Sequence, residues 1–193
     1  YFGPLVVAGV SLPRSALEVL ATLGVEDSKT IGDERMPRMV EAIRALGQTE
    51  VLVVSPARYN ELYAKMGNLN RLLAWAHGKV IENLLDRGAA TWVLVDKFVD
   101  EAVFRRSLGE KGRAVKLDLR TKAEEDPAVA AASILARSAY VRGLATLGKR
   151  FGVTLPAGAG APVLRAGNEL VTRHGRDALV EVAKLHFATT QQF

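Results

Sequence analysis

The chain has 193 residues, 49% of them hydrophobic and 24% charged, so a globular domain with a substantial core is expected. It has no cysteine, which excludes disulfides and thiolate metal sites, and no apolar run reaches the roughly 18–20 residues that a membrane span needs. The formal net charge is +5, compatible with nucleic acid as partner but shared by proteins with other partners.

Leu5–Val10 follows Gly3-Pro4 as a short β-branched run and predicts a strand. Gly32–Leu46 carries Met36, Met39, Val40, Ile43 and Leu46 at helical spacing and predicts a helix. Val51–Val54 reads as a second strand, closed by Ser55-Pro56, and Pro56–Tyr63 as a short helix. A longer helix is predicted over Leu69–Leu85, stopped at Arg87-Gly88. Trp92–Val95 is an apolar strand that stops on Asp96. In the stretch 115–120, Val115, Leu117 and Leu119 alternate with polar residues, as in a half-buried strand. Asp126-Pro127 then opens a helix running through Ala128–Leu147, with Asp126 as N-cap. Leu155–Pro162 reads as a Gly/Ala/Pro-rich loop, and Leu164–His174 and Asp177–Leu185 as two closing helices. Trp75, Trp92 and the Phe residues are assigned to the core. Strands alternating with helices predict an α/β domain. No internal repeat or domain boundary is visible, so residues 1–193 are taken as one catalytic domain.

The start has no basic n-region and no cleavage pattern, which with the absence of cysteine predicts a cytoplasmic protein. Opening on Tyr rather than Met predicts further residues ahead of Tyr1.

With three widely separated histidines (His77, His174, His186), a carboxylate site for Mg²⁺ or Mn²⁺ is expected rather than a histidine-based zinc site. Asp96 ends a buried strand, where an α/β sheet presents ligand-binding residues; a turn or capping Asp is the alternative. Glu124, Glu125 and Asp126 lie between a strand and a helix. Asp126 is explained by capping and Glu125 by the helix dipole, whereas Glu124 is furthest from the helix start. Two carboxylates from separate strand ends suit a divalent cation. Ser28 and Lys29, in Asp27-Ser28-Lys29, are either a plain helix entry or phosphate contacts. Asn68 and Asn70 either cap a helix or bond sugar and base edges. Ser133, the polar residue in Ala130–Ser133, could reach a phosphate on a helix start otherwise built for close packing. His186 is read as a satisfied structural histidine.

Taken together, the segments resemble the type 2 and type 3 ribonucleases H, the type 3 branch (ribonuclease HIII) most closely. The resemblance is carried by Tyr1-Phe2-Gly3-Pro4-Leu5-Val6-Val7-Ala8, Asp27-Ser28-Lys29, Tyr59-Asn60-Glu61-Leu62-Tyr63, Gly67-Asn68-Leu69-Asn70 and Leu73-Ala74-Trp75. It continues through Val95-Asp96, Thr121-Lys122-Ala123-Glu124, Ala130-Ala131-Ala132-Ser133-Ile134, Leu155-Pro156 with Gly158-Ala159-Gly160, and Lys184-Leu185-His186-Phe187-Ala188. The ordered set spans nearly the whole chain. It implies a ribonuclease H-like fold, a central mixed β-sheet flanked by helices. It also implies endonucleolytic hydrolysis of the RNA strand of RNA/DNA hybrids, with two Mg²⁺ or Mn²⁺ ions held by four carboxylates. Asp96 and Glu124 match the third and fourth of these, and Lys122-Ala123-Glu124 looks like the type 3 form of its motif. The Asp-Glu pair, the Gly-x-Gly turn that meets the RNA 2′-OH, and any N-terminal substrate-binding domain would precede Tyr1. A monomer is expected, because the basic face must stay free. The competing readings are a non-catalytic nucleic-acid-binding module and a DNA-cutting nuclease of the same fold.

Overall fold

The computed structural model describes residues 1–25, 32, 34–88 and 90–193. Its contacts group into two compact units: Val7–Leu52 with Asn70–Ser138, and Tyr1–Val6 with Val53–Leu69 and Ala139–Phe193. The strands occur in two neighbouring pairs, β1 (Leu5–Ser11) beside β2 (Gln48–Val54) and β3 (Trp92–Asp96) beside β4 (Lys116–Arg120). Helices intervene between them, which is the α/β alternation expected from the sequence.

The unit that carries Asp96 and Glu124 has two apolar clusters. The first joins α1 (Arg14–Leu23), α2 (Met36–Leu46) and the first half of α7 (Pro127–Phe151) through Leu20, Met39, Val40, Ile43, Ala131, Ile134 and Leu135. Here α2 begins at Met36 rather than Gly32, because Pro37 presets the first helical turn. α1, a helix not expected from the sequence, ends at Gly24, whose φ of 71° lets its N–H return to Leu20 O and Ala21 O.

The second cluster lies under β3 and β4. Ala74 and Ile81 of α4 (Leu69–Arg87) pack with Val95, Leu117, and Phe104 and Leu108 at α5 (Glu101–Ser107). β3 and β4 run parallel in the register Trp92↔Lys116 through Asp96↔Arg120. The parallel step is bridged by α5 and the short α6 (Glu110–Ala114), neither of which the sequence analysis resolved. Trp92, assigned to the core from sequence, is 44% exposed at the start of β3. Asp126 Oδ1 accepts the Ala128 N–H at 2.9 Å, the expected cap of α7.

The other unit holds α3 (Pro56–Met66), the second half of α7, α8 (Ala161–His174) and the single turn α9 (Leu179–Val182). Its core contains Phe2, Leu144, Val163, Leu170, Leu179 and Val182. The helix expected over Asp177–Leu185 is shorter than its apolar pattern suggested. Ala183 leaves the helix to bridge Phe2, and Asn60 holds Ala183 O and the Leu185 N–H at 2.9 Å each. Tertiary hydrogen bonds thus replace helical ones. In the same unit Lys184 Nζ donates to Gly3 O at 2.6 Å, and burial pushes its pKa down to about 8. No described helix is long and apolar enough to cross a membrane.

Candidate active site

Asp96 stands at the carboxyl end of β3, delivered there by a strand whose Val95 is buried while Asp96 itself is exposed. The parallel ladder continues one step past it, with the Lys97 N–H donating to Arg120 O at 2.9 Å. The neighbouring β4 ends at Arg120, and the chain then turns sharply. Lys122 takes φ 58° and ψ 36°, the left-handed region; among the described residues it is the one non-glycine with positive φ. A 3-10 turn follows at Ala123–Glu125, closed by Glu125 N–H to Lys122 O and by Asp126 N–H to Ala123 O.

That turn ties the two carboxylates together. Ala123 is buried, and its N–H donates to Asp96 Oδ1 at 3.2 Å. Glu124, next in the chain, is exposed, as is Glu125. The strand end bearing Asp96 and the turn bearing Glu124 therefore share one edge of the β3–β4 pair. A carboxylate has about four lone-pair positions, so Asp96 can accept one amide and still offer oxygen to a cation. Hard oxygen donors without thiolate or imidazole fit Mg²⁺ or Mn²⁺. Two carboxylates are a partial shell: among the described residues no group of three or more His, Asp or Glu is placed to hold a metal.

The structure adds His77, which sequence reasoning did not connect to the site. It lies on α4 against Phe98, with ring centroids 4.9 Å apart, and edge-on to Phe104. Burial pushes its pKa down to about 4, opposed by the negative charge of Asp96. A neutral imidazole thus stands within electrostatic range of the carboxylate edge. The only sequence signal for this was its position on an apolar helix face, which is also the signal of an ordinary core residue.

Ser28 and Lys29 lie outside the described residues. Asn68, just ahead of α4, belongs to one unit, whereas Asn70, in its first turn, belongs to the other; both are exposed. Ser133 is exposed on the second turn of α7 and donates to Val129 O at 3.1 Å, the usual back-bond of a helical serine. His186 is satisfied, as expected: its Nδ1 is 3.3 Å from Tyr59 Oη and its ring stacks on Tyr63.

Comparison with known proteins gives this geometry a family. The family model of ribonuclease HII matches residues 1–190. The chain is 41% identical over 189 residues to ribonuclease HIII of Protochlamydia amoebophila, covering 98% of itself and 63% of that protein. It is 39% identical over 192 residues to ribonuclease HIII of Chlamydia abortus, covering 98% of itself and 64% of that protein. The crystal structure of Bst-RNase HIII in complex with Mn²⁺ superimposes with a TM-score of 0.91 at 32% identity, over 100% of this chain and 64% of the other. The chain thus spans just under two thirds of the length of these relatives.

Proposed function

Since the chain belongs to the ribonuclease HII family, we propose that it hydrolyses the RNA strand of RNA/DNA hybrids, with Asp96 and Glu124 as two of the carboxylates that hold Mg²⁺ or Mn²⁺. The observation that carries the reading is the hydrogen bond from Ala123 N–H to Asp96 Oδ1, which brings an exposed strand-end carboxylate beside an exposed Glu on a turn. Relatives named ribonuclease HIII and a solved Mn²⁺ complex of one of them support the choice of reaction and metal. An Asp-Glu pair ahead of Tyr1, implied by the family resemblance, would complete the shell.

Each residue then has a role of its own. Asp96 offers carboxylate oxygen at the strand edge and is held in orientation by the Ala123 amide. Glu124 offers a second carboxylate from the 3-10 turn. Divalent ions bound there supply a lowered water pKa and compensation of charge on the phosphodiester oxygens. His77, kept neutral by burial, packs its ring on Phe98. Asn68, Asn70, Ser133, Ser28 and Lys29 serve as substrate contacts to phosphate, sugar or base edges. The protein works as a monomer in the cytoplasm; size-exclusion chromatography with light scattering tests the first part.

The test is Asp96→Asn in a protein that includes the residues ahead of Tyr1. The change is nearly isosteric but removes one negative charge from the metal edge. RNA-strand cleavage of a labelled hybrid should fall by at least about 100-fold, roughly 2.7 kcal/mol of transition-state stabilisation, with hybrid binding kept within a few fold. Wild-type cleavage by the variant refutes the assignment of Asp96. Cleavage of duplex DNA in place of hybrid by the unmodified protein refutes the substrate.

A further inference from the structure

In the unit that carries Asp96 and Glu124, α4 and α5 border an open cleft of about 470 Å³. Arg71 and Ala74 line it from α4, one helical turn apart, and Val103, Arg106 and Ser107 from one face of α5. Among the described residues that line it, two carry a guanidinium and none a carboxylate. The acid of α5, Glu101, is engaged with Arg105, which is not among the lining residues, at 2.7 Å.

We propose that this cleft seats the sugar–phosphate backbone of the nucleic-acid substrate, with Arg71 and Arg106 as its phosphate contacts. The proposal rests on the hydrolase reading for the identity of the nucleic acid. Guanidinium groups match phosphate oxygens in pairs, and Ala74 with Val103 offers an apolar floor to the sugar face. Arg106 is held through its Nε, which donates to Ala102 O at 3.1 Å, and this leaves its terminal N–H groups for a ligand.

The cleft is also a fixed shape. The Ser107 hydroxyl bonds Ala74 O at 3.0 Å and Phe104 O at 2.6 Å. Gly78 lets α4 meet the end of α5, since a Cβ there would sit 2.7 Å from Ser107 O. Each arginine therefore stands on a helix wall, Arg71 on α4 and Arg106 on α5.

The cleft and the strand that carries Asp96 share one core: Ala74, which lines the cleft, packs in the same apolar cluster as Val95, the residue before Asp96. A duplex carries a phosphate every 3.4 Å or so of axis on each strand, so one engaged at Asp96 presents further phosphates on either side of it.

The experiment measures binding of an RNA/DNA hybrid by fluorescence anisotropy in EDTA, from about 50 to 200 mM salt, for wild type, Arg71→Ala, Arg106→Ala, the double variant and Arg106→Lys. Thermal melts accompany each protein to show that it is folded. Each Ala variant should make the slope of log K against log salt shallower by about 0.9, and the double variant by about 1.8. Across that fourfold salt range the double variant then loses about 12-fold less affinity than wild type does. Arg106→Lys should keep the wild-type slope, because the charge remains. A double variant that is folded and has the wild-type slope overturns the cleft as a phosphate site. Because the assay needs neither metal nor cleavage, failure of the hydrolase reading shows separately, as a wild-type protein that binds duplexes with this slope and cuts none.

Discussion

Lys122 offers a sharp test of how the site is built. In the left-handed region an L-residue meets its own Cβ against the following carbonyl, at a cost of about 1–2 kcal/mol that glycine escapes. Lys122 occupies that region at φ 58° and ψ 36°, directly before the amide that holds Asp96. Lys122→Gly should therefore relieve strain; offset by the greater freedom of glycine in the unfolded chain, about 0.4–1 kcal/mol, the net gain is zero to about 1.6 kcal/mol. For a chain of this size that is an increase in Tm of up to about 6 °C. Lys122→Val should do the reverse, since a β-branched side chain tolerates positive φ worst, and should lower Tm by several degrees. If the backbone is what matters, Lys122→Gly keeps hybrid cleavage within about threefold, whereas Lys122→Val loses tenfold or more as the Ala123 amide leaves Asp96. Steady-state cleavage and thermal melts of the three proteins decide it. Equal losses in both variants would show that the lysine charge, not the turn, serves the site. A Gly variant clearly less stable than wild type would refute the left-handed turn itself.

Glu124 and Glu125 are adjacent and both exposed, yet only Glu124→Gln should cut kcat by about 100-fold, with partial rescue at higher Mn²⁺, while Glu125→Gln stays within about threefold; the reverse ranking would shift the metal ligand by one residue. His77 titrates near 4 in the folded protein, against 6.5 ordinarily. Between those values the unfolded chain binds the extra proton, so stability is intact above pH 6.5 and falls as pH drops, by about 2–3 kcal/mol at pH 4.5. Urea melts of wild type and His77→Leu at pH 7 and 4.5 check this, and a variant with the same acid loss as wild type would put the sensitivity elsewhere.

What could be read in the sequence follows what was local. Trp92–Val95 is a continuous apolar run ending in Asp96, and the position of Asp96 at a strand edge needs nothing more than that. Glu124 was separable from its neighbours because Asp126 before Pro127 reads as a cap, and the structure shows the cap. Local patterns failed where an element buries too little to leave a period. The helix α5 buries only Phe104; in α1 the period is present, with Ala16, Leu20 and Leu23 at helical spacing, but it is short. They also failed where a distant partner overrules the pattern, as Phe2 and Asn60 do at Ala183–Leu185.

The link that joins Asp96 to the turn bearing Glu124 belongs to this last kind. It joins residues 27 positions apart through a main-chain amide, and no side-chain type announces a main-chain donor. Its aim depends on a left-handed residue, which sequence rules assign to Gly or Asn rather than Lys. A lysine held there at a cost of about 1–2 kcal/mol is a local disagreement between sequence and conformation, and such disagreements persist where the surrounding structure enforces them. Here the enforcing elements are buried Ala123, the two turn hydrogen bonds to Lys122 O and Ala123 O, and the capped start of α7. They hold Glu124 out toward solvent on the turn whose amide holds Asp96, so the conformational cost at Lys122 is borne where two carboxylates share one edge of the β3–β4 pair.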